Sequence, residues 1–149
     1  MMYHETMSNG KEKFGGFEQF VGTNISRLVD KISITKGSQF NFPTAMHRKN
    51  NLGRFKGVRL FYNKSDRKVG LEFVTDIQQD DGSLKLIPSG DEGQYGAYIV
   101  AKSFFFMNDL KPEKLAGRYD YEKVSLKKLG ADRSGTMFVI DLNKKGDAA

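Results

Sequence analysis

Apolar and polar residues alternate along much of this chain, and the alternation sets the elements it predicts. Ile32-Ser33-Ile34-Thr35 and Gln39-Phe40-Asn41-Phe42 both have the period of a half-buried strand. Lys36-Gly37-Ser38 is a turn between them, and Pro43 ends the second strand because proline cannot extend a central ladder. Thr44 is then placed to cap a short helix over Ala45 to Asn51, with Gly53 supplying a left-handed end. Gly57 to Asn63 and Val69 to Val74 alternate around the polar turn Lys64-Ser65-Asp66-Arg67 and predict a hairpin. The second half repeats the rhythm. Tyr95 to Ala101 reads as a strand and Phe104 to Asp109 as a short apolar helix capped by Ser103. Gly117 to Leu126 and Thr136 to Leu142 read as strands.

The expected fold is therefore α+β and β-rich, built from two strand–short helix–hairpin units. Residues 17–76 form a first, basic unit and 95–143 a second, joined by an acidic, glycine-containing connection at 77–94 that carries a short strand near Leu84 to Ile87. Residues 1–16 read as a flexible tail, Phe17 to Lys31 as an arm that packs on the core or on a second subunit, and 144–149 as a polar C-terminal tail.

Composition narrows the chemistry. At 149 residues the chain fits one ordinary domain or two very small ones. Twelve Phe and six Tyr favour an aromatic, sheet-based core. The absence of Cys excludes disulfides, thiolate metal sites and a cysteine nucleophile. His4 and His47 are the only histidines, too few for a histidine metal site, and no cofactor is expected. No stretch reaches the roughly 18 apolar residues of a membrane span, and Met1 to Lys13 lacks the apolar core of a secretory signal, so a cytoplasmic location is expected, nucleoid-associated if the chain binds DNA.

Charge is segregated. Between residues 36 and 68 lie nine bases, Lys36, Arg48, Lys49, Arg54, Lys56, Arg59, Lys64, Arg67 and Lys68, against one acid, Asp66. Between residues 72 and 94 the balance reverses, with six acids against Lys85. A one-sided distribution of this kind is the footprint of a protein that faces a polyanion, because Lys and Arg displace the counterions of phosphates. His47 reads as an exposed helix position. Phe40, Phe42, Phe61 and Phe73 have the spacing of a core face as well as of a base-stacking platform, and core is the favoured reading.

Residues 32–73 resemble the swapped-hairpin DNA-binding domain of the AbrB/SpoVT/MraZ type. The resemblance rests on Ile34-Thr35-Lys36, on Gln39-Phe40-Asn41-Phe42-Pro43, on His47-Arg48, on Leu52-Gly53 and on Gly57-Val58-Arg59-Leu60. It implies interleaved hairpins from two chains, hence a homodimer or higher homo-oligomer, with DNA contacts from the basic segment.

Asp76 to Asp81 lacks the spacing of a calcium loop, and no phosphate-cradling loop or nucleophile–base pair can be assembled, so neither a metal nor an enzyme is expected. Phe104, Phe105 and Phe106 cannot all point the same way on one helix, which makes them candidate partner contacts. The expected function is DNA binding, as a transcriptional regulator or a DNA-coating protein. The alternative is a structural subunit of a nucleoprotein or phage assembly with no sequence readout.

Overall fold

The computed structural model describes residues 4–6, 12–19, 29–77 and 81–146. Strands β1 (His4–Thr6), β2 (Glu12–Phe14) and β3 (Phe17–Glu18) form a small antiparallel meander. Part of the stretch read as a tail is thus strand, and most of the arm (residues 20–28) lies outside the described residues. Next come β4 (Ile32–Ile34), β5 (Gln39–Phe42), α1 (Thr44–Lys49), β6 (Gly57–Asn63) and β7 (Lys68–Val74). Short strands β8 (Leu84–Lys85) and β9 (Ile87–Pro88) follow, then β10 (Ala97–Val100), α2 (Lys102–Met107) and α3 (Pro112–Leu115). The chain ends in β11 (Gly117–Tyr119), β12 (Tyr121–Ser125) and β13 (Thr136–Asp141).

Two antiparallel five-stranded sheets, in the orders β11-β4-β5-β10-β9 and β12-β13-β7-β6-β8, make the body of a β-rich α+β protein. The hairpins β4–β5 and β6–β7 belong to the first half, and β9–β10 and β12–β13 to the second. Every other ladder of these two sheets joins the halves: β5 to β10, β4 to β11, β6 to β8 and β7 to β13. The runs β4-β5-β10-β9 and β12-β13-β7-β6 read the same from either end when each strand is exchanged for its counterpart in the other half, so the halves are topologically equivalent. Strands of the two halves thus interleave within each sheet of the one chain. Two segments change sheets midway. One passes from β8 to β9 at the buried Leu86, the other from β11 to β12 at Asp120.

Local geometry repeats between the halves. Both α1 and α2 end in an asparagine, Asn50 or Asn108, whose Nδ2 donates to the carbonyl four residues back, at 2.9 and 2.8 Å. A left-handed residue comes next, Asn51 (φ 50°) or Asp109 (φ 54°), and then a buried leucine, Leu52 or Leu110. Gly53, expected as the left-handed position, instead lies in a 3-10 turn over Leu52–Arg54. The expected caps are also displaced. Pro43 and Ala101 occupy the cap positions, while Thr44 and Ser103 lie inside the helices, with Thr44 Oγ1 donating to the Gln94 carbonyl at 3.5 Å. In the β4–β5 turn the left-handed residue is Ser38 (φ 65°).

The core lies between the sheets. Phe42 of one sheet meets Phe73 of the other at 5.1 Å between ring centroids, and Phe73 meets Phe138 at 5.1 Å. Phe40 stacks on Phe105 of α2 at 5.3 Å. Such contacts place Phe40, Phe42 and Phe73 in the core, and Phe61 faces outward on β6. Gly96 fixes the junction of the halves. With φ of 92° it passes so close to the Phe42 carbonyl that a Cβ would lie 2.2 Å from that oxygen.

Candidate nucleic-acid interface

Seven of the nine bases of residues 36–68 fall into two groups, set apart by β6. Arg48 and Lys49 end α1, Arg54 closes the 3-10 turn and Lys56 precedes β6, all four exposed. Lys64 and Arg67 lie in the β6–β7 turn and Lys68 opens β7. Seven residues of strand separate the groups by roughly 20 Å. Lys36 belongs to neither, because its turn is tied to α2 through the Ala101 amide, which donates to the Ser38 carbonyl at 2.8 Å. The charge run therefore does not gather on one surface.

Arg59 is committed to the fold. Its guanidinium lies 3.2 Å from Asp81 and 3.6 Å from Glu72, its cross-strand partner. Glu72 is only 7% exposed and also takes a two-pronged contact from Arg133, at 2.7 and 3.0 Å. This is where the acidic stretch neutralises the basic one. Lys49 is partnered as well, its Nζ lying 2.7 Å from Asp30 Oδ2. Tyr121 donates its hydroxyl to the other Asp30 oxygen and accepts from Asn50 Nδ2 at 2.9 Å. Burial pushes the Asp30 carboxyl upward, but the hydrogen bonds from Lys49 and Tyr121 outweigh it and hold the carboxyl below its ordinary range. The Asp30 hydrogen bond raises the Lys49 ammonium in turn, and burial first, then Asp30, raises the Tyr121 phenol.

Arg48, Arg54 and Lys56 make no ion pair among the described residues. They share this end of the molecule with Lys123 of β12, which the sequence reading did not select. A groove of about 380 Å³ opens between Arg54 and Lys123, floored by Phe55, Phe73 and Phe138. The Arg54 guanidinium carbon is 4.6 Å from the Phe55 ring centre, and Lys123 Nζ is 5.6 Å from that of Phe138. Thr75 and Thr136 add hydroxyls to the wall, and the lining contains no acid. Asn50, 8% exposed, also lines it, and its buried Oδ1 has no hydrogen-bond partner among the described residues. No spacing in the sequence brings Lys123 to Arg54. The β12–β13 ladder and the Asn50–Tyr121 bond do so.

His47 is half-buried rather than exposed, with its ring against Gly53 and Gly93. Burial, and then the Arg48 charge, lowers its pKa. At the far helix Phe105 is 1% and Phe106 86% exposed, with Met107 beside it 81% exposed and Phe104 half-buried. Among the described residues no helix is long and apolar enough to cross a membrane. Comparison with family models, with curated proteins and with solved structures gives no match.

Proposed function

We propose that this chain binds nucleic acid as a regulator or coating protein, through the basic end formed by α1, the 3-10 turn and β12. One observation carries the reading. Arg54 and Lys123 make no ion pair among the described residues and line a groove without acids, and Arg48 and Lys56 are exposed beside it in the chain, likewise without an ion pair. Unpaired cations next to a neutral, aromatic groove favour a polyanion, since each phosphate contact releases counterions. A helix C-terminus is a poor phosphate site by dipole alone, so the attraction resides in the side chains. Lys64, Arg67 and Lys68 form a secondary patch at the other end of β6, and Lys36 a third position. Lys49 and Arg59 act through Asp30, Glu72 and Asp81 as framework residues.

Salt titration of oligonucleotide binding tests this. Changing Arg48, Arg54 and Lys123 together to Gln lowers the slope of log K against log salt by about 2, at roughly 0.7–0.9 per lost contact. The double change Lys64→Gln, Lys68→Gln has a smaller effect. Wild-type affinity that stays constant between about 50 and 200 mM salt removes the proposal.

A second reading rests on Phe106 and Met107, whose exposure gives α2 an apolar tip suited to a partner protein. On this reading the chain is an interaction subunit of a nucleoprotein or phage assembly, and a homodimer forms through that tip. Light scattering of Phe106→Ser, Met107→Ser against the wild type separates the two readings.

A further inference from the structure

The groove between Arg54 and Lys123 has a more specific composition than a phosphate track requires. Its floor is aromatic, its rim holds two cations without an ion pair among the described residues, and its wall carries the hydroxyl-bearing Thr75 and Thr136. The complementary occupant is a flat, largely apolar body with a polar edge and a flanking negative charge. A base within an intact duplex has its donors paired and its faces stacked, and so does not present this combination. We propose that the groove receives the base of an unpaired nucleotide, which makes the polyanion a single strand. This rests on the nucleic-acid reading above and deepens it.

The parts have distinct roles. The guanidinium of Arg54, backed by Phe55 at 4.6 Å, is the stacking plate, because Arg planes and aromatic rings both stack on bases. Lys123, over Phe138 at 5.6 Å, is the compact charge for the adjacent phosphate. Asn50 is held by its amide nitrogen to the Met46 carbonyl and the Tyr121 hydroxyl and fixes the wall of the groove at the end of α1. Thr75 and Thr136 offer hydroxyls that suit any base edge, so little sequence preference is expected.

Fluorescence anisotropy with the full chain provides the test. The probes are a labelled single-stranded thymidine 12-mer, an abasic 12-mer of equal charge and a 12-base-pair duplex, with thymidine monophosphate as competitor. The wild type is expected to bind the thymidine strand at least about fivefold more tightly than the abasic one, the lower end of what stacking contributes. Arg54→Lys keeps the charge and removes the plane. It should weaken binding of the thymidine strand more than that of the abasic one and so erase most of the difference, with a melting curve confirming the fold. Equal affinity for the two strands would overturn the inference while leaving phosphate binding intact. Tighter binding of the duplex, or a base preference that survives Arg54→Lys, would overturn it too. Displacement by the monophosphate at comparable affinity would reassign the groove to a free nucleotide. No binding of any probe would remove both this inference and the function proposed above.

Discussion

Glu72 is a buried carboxylate held between Arg59 and Arg133, and it concentrates more electrostatic consequence than any base of the exposed run. Removing it leaves Arg59 without its cross-strand partner in a partly buried setting, where an unmatched charge is costly. Glu72→Ala is expected to lose about 2 kcal/mol in urea denaturation, whereas Arg133→Ala, whose side chain is half in water, loses less. Asp30 gives a pH signature. Its folded-state carboxyl titrates below the ordinary value of 3.8, so its contribution is fully present above that value and disappears as pH falls through the lower, folded one. Lys49 is shifted up from 10.5, so its share is present below that value and is lost as pH rises past the folded one. Melting temperature followed against pH should fall more gently at the acid end for Asp30→Asn than for the wild type. An unchanged acid limb would show that the bonds to Lys49 and Tyr121 contribute nothing.

At the scale of the element, α2 separates burial from sequence. Phe105 stacks on Phe40 in the core while Phe106 stands in solvent one residue later. Phe105→Ala should cost about 3 kcal/mol and Phe106→Ala under about 0.5 kcal/mol, measured by the same denaturant melts. That one of three consecutive Phe would be outward was legible, because helical directions diverge by position. The β6–β7 hairpin was legible for a similar reason, since seven alternating residues leave little choice of face. Caps were not. Thr44 has the right chemistry for a cap, but its hydroxyl turns to Gln94 fifty residues away, and Asn51 adopts the left-handed turn that Gly53 was expected to provide. The breaks at Leu86 and Asp120 were also hidden, because a strand changes sheets according to its neighbours rather than its own residues.

The whole molecule is held by its inter-half ladders. Each of β4, β5, β6 and β7 has one neighbour from the second half, so a fragment of residues 29–76 exposes four unpaired edges. Such a fragment is expected to lack a cooperative melt by circular dichroism or to associate in size-exclusion chromatography. A folded monomer would contradict the interleaved account. This topology also explains why the site was only partly readable. Charge counted along the chain selected Arg48, Arg54 and Lys56, yet it joined them to residues at the far end of β6 and missed Lys123, which arrives from the other half.

Asn50 and Asn108 end two helices of equal length with the same backbone turn, so the two residues before each asparagine occupy equivalent places. In one helix they are Arg48 and Lys49, in the other Phe106 and Met107. Two identical chains assembled about a true two-fold would be bound to carry the same chemistry at both sites. Joining the halves covalently lifts that constraint, and this molecule has a charged pole and a greasy one, each free to change without altering the other.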